Sequence, residues 1–199
     1  MITFTTLDST GEPLSTFQVP DEAHVSANLM EGQAYVIGSN PPDSYYLNDQ
    51  WVVKPSRPSS KHVWNKITKQ WEDPRTIEQI KLEKRAEINQ AREAEFDAPL
   101  VTPHGTFDSD PKARTSITDA VLLAQTLQSL GTPTTIDFTL YDNSTVTLDT
   151  AGMITVGLML GQKIQAAHAK SRALKAQIEA ATTKEQIDAI KWPTPPETP

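Results

Sequence analysis

Chemistry in this chain would have to come from a few sparse groups. His24, His62, His104 and His168 lie far apart, and no two have the spacing by which neighbouring side chains share a metal ion. They read as surface or capping residues, and no metal ligand is expected. Asp108 and Asp110 in FDSDPKAR resemble part of a calcium loop, but the glycine and the distal glutamate of such a loop are missing. Asp110 reads instead as a helix N-cap before Pro111. GLMLG, residues 157–161, runs into Gln162-Lys163 and so lacks the Lys-Ser/Thr of a phosphate-binding loop. Serine and threonine are plentiful, yet no G-x-S-x-G elbow occurs and no histidine stands close to a nucleophile. No catalytic residue, cofactor or metal site is therefore expected, and the chain is not read as an enzyme. A carboxylate pair assembled from separate elements would be the remaining route to catalysis, suited to glycan cleavage; none stands out.

Composition narrows the field further. A chain of 199 residues has room for one domain or two small ones. The formal charge of −7 and a pI near 5.1 argue against nucleic acid, because neutralising phosphates takes a basic surface. Without cysteine there are no disulfides or thiolate sites. MITFTTLDSTGEP carries no charged-then-apolar leader pattern, and no apolar run reaches bilayer length. The expectation is a soluble protein made in the cytoplasm and acting by contact with other proteins, with no nucleic acid and no membrane insertion.

Contact chemistry has better candidates. Aromatic residues make up only 7% of the chain, yet Tyr45, Tyr46, Trp51, Trp64 and Trp71 fall within 27 residues. In HVWNKITKQWED a four-residue hairpin loop over Lys66–Lys69 would set Asn65 against Gln70 and Trp64 against Trp71. The two indoles would then form a cross-strand pair contributing about 0.5–1.5 kcal/mol beyond burial. A lone hairpin is marginal, so the indoles must pack either on the rest of an N-terminal sheet or on a partner. These five aromatics are the candidate partner-binding residues. One face of the sheet is expected to pack internally and the other to dock the partner. A second group, Gly152, Gly157 and Gly161, sits inside a helical stretch, where each glycine costs about 1 kcal/mol relative to alanine. They read as helix-packing positions, against the helix that opens at Asp110 or against a second subunit.

The elements that position these residues form an α+β chain: a small N-terminal antiparallel β-rich domain, then a mainly helical domain containing one β-hairpin. Residues 1–73 read as strands and turns: a hairpin of ITFTTL and PLSTFQV around Asp8–Gly11, a short helix opening at Pro20-Asp21-Glu22 and ending near Gly32, then AYVIGS, SYYLND and WVVKP. PSRPSS, residues 55–60, reads as an extended connector. Asp73-Pro74 is expected to cap and open a bridging helix over 74–98. Residues 99–192 form the helical domain. Its first helix opens at Asp110 and closes at Gly131, and a hairpin over 136–148 alternates Ile136, Phe138 and Leu140 with Val146 and Leu148. A long helix capped by Asp149 or Thr150 carries Met153, Val156, Leu160, Ile164, Ala167, Leu174 and Ile178 on one side. Thr182 and Glu185 are expected to box a last short helix. Residues 193–199 are a proline-rich tail.

YYLNDQWVVKPSRPSSKHVWNKITKQWEDPRT resembles tail fibre assembly and tail-fibre-associated proteins of tailed bacteriophages. KRAEINQAR, FDSDPKARTSITDAV, YDNSTVTLDTAGM and AAHAKSRALKAQIEAATTKEQIDAIKW are similar to a phage domain often attached to such N-termini. The resemblance implies a protein that binds a phage tail fibre or receptor-binding protein, trimeric in such systems, as an assembly chaperone or attached adaptor in the host cytoplasm. The well-specified helical half also suits a structural subunit of the baseplate or fibre retained in the virion tail, in contact with other tail proteins or with itself. A tail-associated glycan-cleaving enzyme is the remote alternative.

Overall fold

The computed structural model describes residues 1–132 and 134–193. The proline-rich tail beyond Pro193 lies outside them. The chain divides into two compact units, Met1–Arg75 and Thr76–Pro199, and its class is α+β, antiparallel strands first and helices after.

In the first unit, β1 (Ile2–Leu7), β2 (Pro13–Val19) and β3 (Tyr35–Ile37) form an antiparallel sheet in the order β2-β1-β3. Asp8 closes the first turn, its carboxylate accepting from the Thr10 and Glu12 amides and the Thr10 hydroxyl. Phe4, Val19 and Val25 form a small core beneath, with Ile2 and Leu29 against it. The single helix expected after Pro20 is instead two one-turn 3-10 segments, Glu22–His24 and Ser26–Asn28. Too few apolar positions recur there to pay for a longer helix. Two hairpins follow, β4 (Ser44–Leu47) with β5 (Gln50–Val53), and β6 (Val63–Asn65) with β7 (Gln70–Glu72).

The second unit is built on three long helices. The helix read as a bridge over 74–98 is α1 (Ile77–Asp97); it lies wholly within this unit and packs along α3 through Ile88 and Ile178. It does not open at Asp73-Pro74. Asp73 binds the Arg75 guanidinium in a two-bond pair (2.6 and 2.9 Å). Thr76 and Gln79 instead form the capping box, which satisfies two orphan backbone donors where Asp73 would satisfy one. After α1 comes a hairpin the sequence reading missed, β8 (Leu100–Thr102) with β9 (Gly105–Phe107), so the described residues of this unit hold two hairpins. Then α2 (Pro111–Ser129) is capped by Asp110 (2.7 Å to the Ala113 amide) and ends at Gly131, φ 68°, with the Thr132 amide bonded to Leu127 O. The expected hairpin is β10 (Thr135–Thr139) with β11 (Thr145–Asp149), pairing Ile136 with Leu148 and Phe138 with Val146. Asp149 caps α3 (Thr150–Ala180). Thr183 and Gln186, one position along from the pair expected, box α4 (Lys184–Ala189).

The main core lies where α2, α3 and both hairpins meet, around Phe107, Ile117, Met153, Val156 and Leu148. Helices α1 and α3 are antiparallel and cap each other. Lys81 Nζ donates to Glu179 O (2.9 Å) at the end of α3, and Lys163 Nζ donates to Phe96 O (3.1 Å) and to Ala98 O at the end of α1. Each ammonium meets the negative end of the other helix's dipole. Burial lowers the Lys163 pKa, assisted by Arg114 and opposed by Glu95 and Asp97.

Candidate functional site

The hairpin that carries the tryptophans forms because Lys66–Lys69 is a good four-residue loop. Asn65 Oδ1 accepts from the amides of Ile67 (2.9 Å) and Thr68 (3.2 Å), and Lys69 closes the loop at φ 56°. A lysine in the left-handed region costs about 1–2 kcal/mol. Its side chain offsets that cost, donating to Thr10 O (2.6 Å) and lying 4.6 Å from the centre of the Tyr45 ring. The register follows as expected, Trp64 opposite Trp71 and Asn65 opposite Gln70. The indoles meet edge to face with centroids 5.4 Å apart, and Tyr45 packs on Trp64 at 5.6 Å.

What holds this cluster is a residue the sequence reading did not single out. The Glu12 carboxylate accepts from Trp64 Nε1 (2.7 Å), Lys54 Nζ (2.6 Å) and Lys69 Nζ (3.3 Å), with its own side chain 6% exposed. Lys54 also lies 5.2 Å from the Trp64 ring centre. Burial works to raise the Glu12 pKa, but the bonds from Lys54, Trp64 and Lys69 more than offset it and hold the carboxyl below its ordinary range. Asp8 follows the same logic: burial raises it, and the bonds from Thr10, Glu12 and Lys66 bring it well below the usual value. Gly11, between these two acids, bonds β4 through its carbonyl, which accepts from the Tyr46 amide (2.8 Å). At φ 83° a Cβ there would sit 2.2 Å from Tyr46 O.

The five aromatics do not form one exposed patch. Tyr45 is buried, and Tyr46, Trp51, Trp64 and Trp71 are half-buried. They divide across β4–β5, because successive side chains of a strand point to opposite faces. Tyr45, Trp64 and Trp71 form the internal cluster. Tyr46 and Trp51, directly paired across the hairpin with centroids 5.2 Å apart, lie on the other face. The PSRPSS segment, read as an extended connector, is held by the hairpin: Trp71 Nε1 donates to Pro55 O (2.7 Å), and Arg57 stacks over Trp71 while donating to His62 O and Ser60 O.

The three glycines of α3 take different roles. Only Gly157 is the close helix approach expected, since a Cβ there would meet Val121 Cγ2 of α2 at 2.5 Å. Gly152 faces the Asp149 cap (3.1 Å) and the His104 ring (3.4 Å) of the β8–β9 turn rather than a helix. Gly161 meets nothing within 4 Å; it floors an open groove of about 580 Å3 between α2 and α3, walled by Val121, Ile154, Leu158 and Ile164.

The histidines remain apart. His24 bonds Asp21, His62 bonds Ser59, and His168 packs on Phe96 at 5.0 Å. Among the described residues no three His, Asp or Glu side chains gather in a way that could hold a metal ion, and no helix is long and apolar enough to cross a membrane.

No curated protein and no solved structure matches the chain. A family model described as a domain of unknown function, DUF4376, matches residues 79–191, a span that begins three residues into the second unit, within the first turn of α1, and runs through α4. That is more than half of the chain, and the chain belongs to the DUF4376 family.

Proposed function

We propose that this chain is a tail-fibre-associated protein of a tailed bacteriophage, binding the fibre or receptor-binding protein as an assembly chaperone or attached adaptor. It acts by protein–protein contact, in the host cytoplasm during assembly and, where it stays attached, in the virion tail. The observation that carries this reading is the division of the aromatics in the first unit. The Glu12-centred cluster of Tyr45, Trp64 and Trp71 braces β4–β5 from one side, and the other side presents Tyr46 and Trp51 half-buried. Rigid aromatic rings lose little entropy on binding and anchor interfaces well. The motifs around this hairpin are also those that resemble the phage proteins. The test is to purify intact virions, quantify the chain against the tail proteins by mass spectrometry, and compare infected-cell lysate. Co-purification with the fibre that falls about tenfold in Trp51→Ala, with the fold intact, supports the reading. Unchanged fibre association in the Tyr46→Ala, Trp51→Ala double variant refutes it.

A second reading, a stoichiometric structural subunit of the baseplate or fibre, is favoured by the α2–α3 groove. Leu158 stands 62% exposed beside Gly161, and Leu122 and Leu123 of α2 are also exposed, a surface suited to self-association. Stoichiometric presence in particles together with self-association of the purified chain would select it over the chaperone. A glycan-cleaving role would need a carboxylate pair, and nothing favours one.

A further inference from the structure

The sheet of the first unit ends in an open edge at β2. On β1, the Thr3 carbonyl accepts from Gly38 N–H (2.7 Å) and the Leu7 amide donates to Ala34 O (2.9 Å), so the odd-numbered residues turn their main chains toward β3. The even-numbered ones, Phe4 and Thr6 among them, therefore serve β2 at Phe17 and Ser15. That leaves the N–H and C=O groups of Thr16 and Gln18 pointing away from the sheet, and among the described residues no strand pairs with β2 on that side. Leu14 through Gln18 are all exposed. Sheet edges are commonly guarded by a charged side chain on the strand or by a covering element. PLSTFQV carries no charge; the irregularity opposite Thr6/Leu7, strand β4 packed against β2, and Pro20 delimit the open run. The Thr16 hydroxyl donates to Asn40 Oδ1 (3.3 Å) while leaving the Thr16 main chain outward. Beside this edge lies a cavity of about 380 Å3, lined by Leu14, Phe17, Leu29, Met30 and Gln33. Just past its end stand the exposed carboxylates of Asp21 and Glu22.

We propose that the β2 edge takes an extended segment of a partner protein as an added antiparallel strand, with one apolar side chain in the Leu14–Phe17–Met30 cavity and a basic residue facing Asp21 and Glu22. Free main-chain groups at alternate residues are complementary to a strand, and an adjoining pocket for every second side chain is how such additions acquire specificity. Charge selects the occupant. A second copy of this chain would bring another −7 to an edge that already ends in two carboxylates, whereas a strand with a basic end is drawn to it. The inference rests on the proposed function only in supplying a mode of contact for the first unit.

The test uses the intact chain and an acetylated peptide of about nine residues, threonine alternating with valine and lysine at its amino end. In an antiparallel addition that lysine meets Asp21 and Glu22. Amide exchange followed by NMR is expected to slow about tenfold or more at Thr16 and Gln18 on binding, with Ser15 and Phe17 protected already. Gln18→Pro removes an outward N–H and spares the ladder to β1; it should weaken the peptide about tenfold. Met30→Asp, at an exposed side chain, should do the same with every main-chain group in place, and glutamate for the peptide's lysine should weaken binding again. Absence of slowing at Thr16 and Gln18, or full affinity in a folded Gln18→Pro variant, overturns the proposal. So does concentration-dependent protection of those amides in the chain alone, which would make a second copy the occupant. Loss of fibre co-purification would leave this peptide measurement untouched, so the two readings fail separately.

Discussion

Glu12 shows how one side chain can organise a domain with little core. The apolar cluster of the first unit is small, centred on Phe4, Val19 and Val25, and the tryptophan hairpin is joined to it through a buried carboxylate shared by two ammonium groups and an indole. Removing one partner of such a network leaves the others uncompensated, which costs more than the network contributes when whole. Glu12→Gln should therefore lower stability by about 3 kcal/mol, read by denaturant titration of tryptophan fluorescence. The pH dependence follows from the sign of the shift. Glu12 has its folded pKa below its ordinary 4.5, so its contribution is complete above that value and is lost as pH falls through the folded pKa. Asp8 is depressed further and adds to the same acid limb at lower pH. Stability of the wild-type first unit should fall as pH drops below 4.5, and the upper part of that fall should be missing in Glu12→Gln. A parallel acid limb in the variant would mean that Glu12 is not the titrating hub. None of this was legible beforehand. The partners of Glu12 lie 42, 52 and 57 residues away, and nothing local in Gly-Glu-Pro marks it.

At the scale of elements, legibility depended on whether a short-range rule had one solution or several. The Trp64–Trp71 register was readable because loop length alone sets it, and β10–β11 because its alternation runs over five residues on each strand. The β8–β9 hairpin was missed because three-residue strands carry no measurable period, although Pro103 and Gly105 in Thr-Pro-His-Gly are ordinary turn residues. Helix starts slipped where two caps competed, Asp73-Pro74 against Thr76 with Gln79, and Thr182 against Thr183. The α3 glycines were read together as helix-packing positions, but their environments differ, and that difference gives substitutions of opposite sign. Alanine at either position gains about 1 kcal/mol of helix propensity. At Gly157 the new methyl would lie 2.5 Å from Val121 Cγ2, and overpacking a helix interface costs about 1–3 kcal/mol. Gly157→Ala should be destabilising by about 1 kcal/mol net, while Gly161→Ala, facing open space, should be stabilising by about 1 kcal/mol. Thermal unfolding followed at 222 nm measures both; equal shifts of the same sign would show that α2 does not approach α3 at Gly157 as described.

For the whole molecule, the division at Arg75 and Thr76 and the family match from residue 79 locate nearly the same boundary from independent observations. The two units are stabilised in different ways. Residues from Thr76 onward hold separate apolar clusters, around Phe107 and Met153, around Ile88 and Ile178, and around Ile80 and Ile187, with reciprocal lysine caps between α1 and α3. The first unit has about 75 residues and a thin core, a size at which burial alone leaves little net stability, so its polar network decides the balance. The tryptophans report on the units separately, since Trp51, Trp64 and Trp71 fall in the first and Trp192, whose indole donates to Glu95 (2.7 Å), falls in the second. Residues 76–199 expressed alone should keep a helical spectrum and unfold cooperatively. In the intact chain the fluorescence transition should precede the helical one on heating, and the gap should widen as pH drops below 4.5 and the Glu12 contribution fades. Coincident transitions at every pH, together with an unfolded 76–199 fragment, would mean that the chain is a single cooperative unit. In that case the first unit would not be an independent module, and the proposed fibre contact would have to be tested on the intact chain alone.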